Sequence, residues 1–253
     1  MTMTHQARKR FGQNFLQDGP VIARIIEAIQ PARRAHVVEI GPGQAALTTP
    51  LLAVAKKLTV VEIDRDLAAY LQQKESAQFK VIVGDALKLD FSPLSQGEKL
   101  TVVGNLPYNI STPLLFHLMQ YHSLIDDLYF MLQKEVVERM AAGPRDSAYG
   151  RLSVMMQYFC EVTPLFRVPP HAFLPMPKVD SMVVHLKPWT HSPYPEVKDF
   201  GRFSRIVHDA FSQRRKTLRN ALSQLAITLP EAYAKKRAEE LSVAEFIELA
   251  NNK

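Results

Sequence analysis

The sequence predicts an α/β fold, in which helices cover a mostly parallel sheet, followed by a small helical domain. Short apolar runs rich in β-branched residues alternate with helical patterns at residues 37–40, 58–63, 81–83, 100–103 and 128–132. Such runs, without polar alternation, are typical of parallel strands that are buried on both faces. Because strand and helix alternate along the first two thirds of the chain, we predict a doubly wound sheet.

Helices are predicted where apolar residues recur three and four positions apart. Residues 21–29 show this spacing, and residues 114–119 repeat it after Ser111, Thr112 and Pro113, which suit a helix start. A loop is predicted at residues 143–150, and a further strand is predicted at residues 179–186.

The prediction for the last quarter of the chain is a separate helical domain. Residues 188–195 include three prolines, which forbid a helix and suit a linker. Beyond them the pattern is helical at residues 203–211, from residue 230, and at residues 242–249. The predicted domains are therefore residues 1–189 and residues 190–253.

Composition narrows the class of protein. The chain has 253 residues, of which 47% are apolar, so it can bury a full domain core. One cysteine, Cys160, excludes disulfide frameworks and cysteine-rich metal sites and suits a reducing compartment. The first ten residues lack the apolar core of a signal peptide, and no apolar run reaches the length of about 18 residues that spans a membrane. We therefore expect a cytoplasmic protein without membrane association.

Positive charge is concentrated in two segments of a chain whose net charge is +6. The first twelve residues carry Arg8, Lys9 and Arg10 without an acid, and residues 198–219 carry seven cations against two acids. The last four of these seven, Arg214, Arg215, Lys216 and Arg219, are expected to crowd one helix and to contact RNA phosphates. The two segments are compatible with a polyanion such as nucleic acid and equally with solvent-exposed helix faces.

A glycine turn after the first strand predicts a nucleotide pocket. Gly41 and Gly43, with Ala46 in the third place, fit the pattern G-x-G-x-x-G/A between a strand and a helix. Glycine permits a sharp turn and a close approach of the backbone to a ligand. Glu62 follows Gly41 by 21 positions, where a carboxylate accepts hydrogen bonds from ribose hydroxyls. A nicotinamide site and a plain turn with a capping acid remain alternatives.

The end of the third strand favours S-adenosylmethionine over a dinucleotide. Gly84 and Asp85 follow this strand, so Asp85 lies over the same pocket, where it can accept a hydrogen bond from an adenine amine. S-adenosylmethionine carries adenine, ribose and an amino acid tail. A dinucleotide would also need room for its phosphates at the helix N-terminus.

The fourth strand ends in Asn105, Leu106, Pro107 and Tyr108, a sequence that predicts methylation of an amine. Adenine N6 is a poor nucleophile because its lone pair is delocalised into the ring. The Asn105 side-chain oxygen and the Leu106 carbonyl can accept both N6 hydrogens and pyramidalise the nitrogen, while Pro107 stiffens the turn. Tyr108 offers a ring on which an extruded base can stack. In the alternative interpretation, the proline and the tyrosine only pack.

A second ring for the target base is Phe173. It lies in a loop stiffened by Pro175 and Pro177, just before a predicted strand. Sequence alone supports a base-stacking role and a core role for Phe173 equally.

The predicted chemistry requires no other catalytic group. Cys160 is neither placed nor flanked as a cytosine C5 methyltransferase nucleophile would be, and the histidines show no metal-ligand spacing. We therefore expect no metal ion.

These motifs together resemble the ribosomal RNA adenine dimethyltransferase family, in particular its bacterial small-subunit branch. The resemblance runs nearly end to end and is carried by residues 10–16, 39–43, 84–86, 105–108, 173–181 and 211–218. It implies a Rossmann-like S-adenosylmethionine-dependent methyltransferase fold. The implied cofactor site consists of Asn14, Leu16, Gly41, Glu62, Asp85 and Asn105, with Asn14 and Leu16 closing over S-adenosylmethionine.

The resemblance also implies a substrate and a partner. Members of the branch place two methyl groups on each of two adjacent adenosines near the 3′ end of 16S rRNA, late in small-subunit assembly, and their loss confers kasugamycin resistance. We therefore expect a monomer that binds an assembly intermediate of the small subunit through its basic segments. Methylation of large-subunit RNA, as in the antibiotic-resistance relatives, a mitochondrial transcription role, and a non-catalytic assembly role remain alternatives. The absence of a presequence disfavours the mitochondrial role.

Overall fold

A computed structural model describes residues 13–225 and 227–252 of the protein. The chain divides into two compact units. The first contains the described residues up to 134 together with residues 163–188, and the second contains residues 135–162 and the described residues from 189 onward. Arg8, Lys9 and Arg10, three of the residues predicted to bind RNA, lie outside the described residues.

The first unit is built on a mixed sheet, to which seven strands of the described chain contribute. Their order is β4-β3-β2-β5-β6-β9-β7, in which β4, β3, β2, β5 and β6 run parallel and β9 is antiparallel to β6. The strands are β2 (His36–Ile40), β3 (Leu58–Glu62), β4 (Phe79–Val83), β5 (Leu100–Asn105), β6 (Ile125–Gln133), β7 (Cys160–Val168) and β9 (Ser181–Pro188). The doubly wound parallel sheet is confirmed.

The central strands form because both of their faces are covered. Every residue of β2 and β3 is buried, as are the first five residues of β5, so an apolar run without alternation satisfies both faces. The helices of this unit are α1 (Gly19–Ile29), α2 (Thr48–Val54), α3 (Arg65–Gln72), α4 (Ser92–Ser95) and α5 (Ser111–Met119). Helix α1 begins where the Asp18 carboxylate accepts a hydrogen bond from Val21 N at 3.0 Å, and it buries Ile25 and Ile29.

A second, two-stranded sheet was not predicted from the sequence. Strand β1 (Phe15–Leu16) pairs antiparallel with β8 (Phe173–Leu174), with Phe15 opposite Leu174 and Leu16 opposite Phe173. The Gln17 N–H extends the contact by donating to the Ala172 carbonyl at 2.8 Å. The start of the described chain is therefore attached to the segment that precedes β9.

The second unit is helical and extends beyond the predicted C-terminal domain. The sequence placed residues 135–162 in the first domain, but in the structure helix α7 packs against α8 and α11, since it buries the apolar residues 152 and 154–156. The junction at residues 188 and 189 lies next to the predicted boundary. The helices are α6 (Lys134–Ala141), α7 (Arg151–Phe159), α8 (Phe200–Ser212), α9 (Leu218–Ala221), α10 (Glu231–Ala234) and α11 (Val243–Asn251).

The end of α8 changes the placement of a predicted RNA-binding group. Residues 214, 215, 216 and 219 were expected to share one helix, but α8 ends at Ser212 and the chain turns through residues 213–216 before α9 begins. The Arg214 guanidinium donates to the Ser147 and Tyr149 carbonyls at 3.0 and 2.9 Å. This turn is therefore fixed to the loop at residues 143–150.

The centre of the sheet is packed so closely that one position requires glycine. A Cβ atom on Gly104 in β5 would lie 2.5 Å from the Ile40 carbonyl oxygen of neighbouring β2. Strands β2 and β5 are the neighbours at which the order of the sheet reverses, and in such sheets a ligand cleft opens at this point.

We expect Gly104→Ala to destabilise the protein by about 1–3 kcal/mol, because the added methyl group must push the backbones of β2 and β5 apart. Gly84→Ala is the matched control, since a Cβ there meets no atom within 4 Å. Urea unfolding of both variants checks this expectation. Equal midpoints for the two variants would contradict the close packing at Gly104.

Candidate active site

A cavity lies at the carboxyl ends of the parallel strands, where the sheet order reverses. Its lining comes from residues within the segments 13–16, 39–47, 61–63, 84–86 and 105–110, all of which belong to the first unit. The ends of β2, β3, β4 and β5 thus converge there with the start of the described chain. This is where the sequence placed both the nucleotide pocket and the catalytic turn.

The glycine turn adopts the backbone that its sequence predicts. Gly41 and Gly43 have φ angles of +67° and +53°, which side chains other than glycine rarely adopt. A Cβ on Gly43 would also lie 3.1 Å from two ring carbons of Phe15. The turn continues to Leu47, and α2 begins at Thr48.

Glu62 links the end of β3 to this glycine turn. One carboxylate oxygen accepts from Gly43 N at 3.1 Å, and the other accepts from Asp64 N at 2.9 Å. Burial raises the pKa of Glu62, while these backbone hydrogen bonds oppose the rise. Each oxygen has a second lone pair, so a ribose diol can still be bound while the turn stays fixed.

Asp85 lines the cavity next to Glu62. Its Oδ1 accepts from Leu87 N at 3.0 Å, and the Gly84 N–H donates to the Glu62 carbonyl at 2.9 Å. The aspartate is therefore held by the turn that follows β4. Its position on the cavity wall fits the predicted contact with an adenine amine.

Glu39 is a cavity residue to which the sequence analysis assigned no role. It is buried within β2 and lines the cavity. Burial raises its pKa to about 8, and the nearby Glu62 carboxylate adds to the rise. An acid inside the otherwise apolar run at residues 37–40 was the available signal. At neutral pH Glu39 is largely protonated and brings no full charge to the cavity.

The turn at residues 105–108, which the sequence predicts to be catalytic, presents a fixed amide. Asn105 Nδ2 donates to the Asn14 carbonyl at 2.9 Å, so the hydrogen-bond accepting Oδ1 of the same amide remains available. The Leu106 N–H donates to the Met131 carbonyl at 3.2 Å, which fixes the peptide group before Leu106. Both Asn105 and Leu106 line the cavity.

Tyr108 is held by a residue that the sequence analysis did not single out. Its hydroxyl lies 2.8 Å from Ser181 Oγ at the start of β9, and Ser181 is completely buried. Burial raises the pKa of Tyr108, so it is a neutral phenol at physiological pH. Pro107 and Tyr108 both line the cavity, as the sequence predicts for a base-binding wall.

Phe173 takes the position that the core alternative describes. Only 4% of its surface is exposed, it packs in the apolar core with Leu16, and it is not among the cavity-lining residues of the described chain. Asn14 and Leu16, in contrast, line the cavity, with Leu16 opposite Phe173 in the β1–β8 pair.

The predicted basic residues of the second unit differ in their surroundings. Arg219 forms an ion pair with Glu231 at 2.9 Å, and Arg214 binds backbone carbonyls as described above. The side chains of Arg215 and Lys216 are exposed and make no hydrogen bond or ion pair within the described part of the chain. These two side chains keep their full capacity to bind phosphate.

Two further features bear on the class of site. Within residues 13–225 and 227–252, no group of three or more His, Cys, Asp or Glu side chains is arranged to hold a metal ion. Over the same residues, no helix combines the length and the apolar character needed to cross a bilayer. The fold and the site define a methyltransferase whose cofactor is S-adenosylmethionine, which the glycine turn, Glu62 and Asp85 fit.

Comparison with known proteins identifies the family. The model of the family described as ribosomal RNA adenine dimethylase matches residues 4–252. The "Ribosomal RNA small subunit methyltransferase A" of Citrobacter koseri is 54% identical over 255 residues, covering 98% of this chain and 93% of the relative. The protein of the same name from Histophilus somni is 51% identical over 260 residues, covering 98% and 92%. The chain belongs to the ribosomal RNA adenine dimethylase family, as the motifs predict.

Solved structures agree with this assignment. A dimethyladenosine transferase from Plasmodium falciparum superposes with a TM-score of 0.78 at 28% identity, covering 93% of this chain and 95% of that one. The 23S rRNA methyltransferase ErmE superposes with a TM-score of 0.70 at 25% identity, covering 94% and 100%. The methyltransferase fold and the enzymatic class predicted from the sequence are confirmed.

We expect Glu39→Gln to change how stability depends on pH. The folded pKa of about 8 lies above the ordinary value of 4.5, so the contribution of Glu39 is present at low pH and is lost as the pH rises toward 8. The neutral variant should therefore gain stability relative to the parent between pH 5 and pH 8, by at most about 1.4 kcal/mol per pH unit. Urea unfolding across this range measures the difference, and a constant difference would contradict it.

We expect Glu62→Ala to weaken S-adenosylmethionine binding by about 1.5–3 kcal/mol, because the ribose loses a charged acceptor and the glycine turn loses its anchor. Binding of RNA should be unchanged. Calorimetry measures the cofactor affinity, with Glu27→Ala on the exposed face of α1 as the control. Parent-like cofactor affinity in Glu62→Ala would remove Glu62 from the site.

Proposed function

We propose that the protein dimethylates N6 of two adjacent adenosines near the 3′ end of 16S rRNA, late in assembly of the small ribosomal subunit. The observation that carries this proposal is the fixed amide of Asn105. Its Nδ2 is committed to the Asn14 carbonyl, so its Oδ1 is left to accept a hydrogen bond at the cavity. An acceptor in this position suits an exocyclic amine, whereas a ring nitrogen acceptor would need a donor.

In the first of the two transfers to each adenine, the proposed chemistry depends on two acceptors that bind both hydrogens of N6. Asn105 Oδ1 accepts one and the Leu106 carbonyl accepts the other, which draws the nitrogen lone pair out of conjugation with the ring. In the second transfer one N–H remains, and one of the same acceptors binds it. Pro107 cannot donate a backbone hydrogen bond, and its ring restricts the turn that aims the Leu106 carbonyl. Tyr108, fixed by Ser181, provides a stacking face for the base.

The cofactor supplies an electrophilic methyl group on a sulfonium centre when it is bound. Glu62 would bind the ribose hydroxyls, Asp85 the adenine amine, and the backbone around Gly41 the methionine part. Asn14 and Leu16 would cover the cofactor, since β1 holds them at the cavity. No side chain is needed as a base, because the methylated nitrogen carries a positive charge, is strongly acidic and loses its proton to water.

The small-subunit substrate is supported by the named relatives. Two relatives that are 51% and 54% identical over 98% of this chain are small-subunit methyltransferases by name, whereas ErmE, named for 23S rRNA, is 25% identical. A cytoplasmic reaction follows from this substrate. We propose that the enzyme acts as a monomer.

We further propose that the helical unit and the N-terminal segment bind RNA. Arg8, Lys9 and Arg10 are placed there on charge alone. In the helical unit Arg215 and Lys216 are the stronger candidates, because Arg214 and Arg219 already have partners within the protein. Phosphate contacts of this kind position an RNA without reading its sequence.

Methyl transfer with undermethylated small subunits and labelled cofactor tests the proposal. Label should map to two adjacent adenosines, and Asn105→Ala should reduce the rate by about 10²–10³, as expected for a positioned polar group at a transition-state site. RNA binding should survive in this variant. Label on large-subunit RNA would favour the ErmE-like alternative, and an inactive parent that still promotes assembly would favour the non-catalytic role.

We expect Arg215→Gln with Lys216→Gln to weaken binding to small subunits and to lower the salt dependence of binding. Each lost phosphate contact reduces the slope of log K against log salt by about 0.7–0.9. The matched control is Arg214→Gln with Arg219→Gln, which should change the slope less and the unfolding midpoint more. Filter binding across a salt series measures both slopes. Identical slopes for parent and the first variant would show that these side chains face only solvent.

A further inference from the structure

The loop between β8 and β9 exposes apolar side chains beside the cavity. Leu174 is 60% exposed, Met176 is 64% exposed and Val179 is 45% exposed. Three large apolar groups within six residues are an unfavourable surface for water, and such a group usually marks a contact site. Neither the cofactor site nor the catalytic turn uses them.

Both ends of this loop are attached to the cavity wall. Leu174 pairs with Phe15, which lines the cavity, and Ser181 binds the hydroxyl of Tyr108, which also lines it. Only residues 175–180 lie between these two anchors, so the apolar side chains must stay near the cavity mouth. The exposed apolar side chains are therefore part of the rim of the cavity.

The loop is also restrained internally. Pro175 and Pro177 fix two of its φ angles. The Asp180 carbonyl accepts from Lys134 N at 2.9 Å, and the Asp180 carboxylate pairs with Arg167 at 2.8 Å. Because these contacts fix the backbone, the loop has little backbone entropy left to lose when it meets a ligand.

We propose that Leu174, Met176 and Val179 contact the RNA bases that flank the target adenosine and fill the space this base vacates. The inference rests on the proposed function, which requires the adenine to leave its stack and enter the cavity. Apolar side chains inserted at a disrupted base step replace the lost stacking in other nucleic-acid complexes. The rim of the cavity is where that disrupted step must lie.

RNA suits this surface better than a second protein. Three side chains on one short loop are far smaller than a stable protein interface, which buries more than about 1,000 Å² in total. Lys178, exposed on the same loop, adds a cation that favours the phosphate beside such a base. The apolar side chains can contact an RNA base, and the neighbouring positive charge can contact the RNA backbone.

Proximity can be tested by photo-crosslinking. A photoreactive benzoylphenylalanine replaces Met176 in one variant and Val54 in the control, because Val54 is 47% exposed at the end of α2. Each variant is irradiated with undermethylated small subunits, and crosslinks are mapped by reverse transcription and by mass spectrometry. We expect the Met176 variant to crosslink to nucleotides next to the methylated adenosines, and the Val54 variant to give no such crosslink. Crosslinks from position 176 to a ribosomal protein or to distant RNA overturn the inference.

A triple variant that combines Leu174→Ser, Met176→Ser and Val179→Ser tests how much these side chains contribute to the reaction with small subunits. The triple variant should lose about 10-fold to 100-fold in kcat/KM on small subunits, in keeping with loss of base stacking, while cofactor affinity and the unfolding midpoint stay as in the parent. The control Val54→Ser should be fully active, and Met176→Leu alone should retain activity.

The outcomes separate the two proposals. If the parent does not methylate small-subunit RNA, the proposed function fails. If the parent is active and the triple variant is equally active, the loop inference fails while the function stands. If the triple variant loses cofactor affinity or stability, the three side chains have a structural role, and this result also overturns the inference.

Discussion

The carboxylate of Glu62 is the interaction on which the site depends. It joins the end of β3 to the glycine turn after β2 through Gly43 N and to the next turn through Asp64 N. A partly buried N–H without an acceptor is costly, so this acid stabilises the left-handed backbone of the turn. The Glu62 carboxylate, which would bind the ribose, therefore also stabilises the glycine turn that would contact the remainder of the cofactor.

The beginning of the described chain connects the glycine turn to the turn at residues 105–108. Strand β1 packs Phe15 against Gly43 and pairs with β8, whose continuation leads to Ser181 and hence to Tyr108. The carbonyl of Asn14 in the same segment orients Asn105. One short segment thus touches the glycine turn, the Asn105 amide and β8.

Local patterns predicted most of the sheet and much of the site, whereas contacts between distant segments could not be predicted. The central strands and the glycine turn follow from residues that are adjacent in sequence, so their signals are local. Strand β7 was missed because Pro164 and its largely exposed residues give neither a continuous apolar run nor an alternation. Pairing of β1 with β8, and the burial of Phe173 that accompanies it, joins residues about 160 positions apart, for which no short pattern exists.

The hydrogen bond that orients Asn105 has a consequence for mutational tolerance. Its acceptor is the main-chain oxygen of Asn14, which is present whatever side chain occupies that position. No single substitution at position 14 can delete this acceptor, whereas nearly every substitution at position 105 deletes the donor. The risk that a mutation removes this hydrogen bond is therefore concentrated at position 105, whereas position 14 is constrained through its own side chain at the cavity.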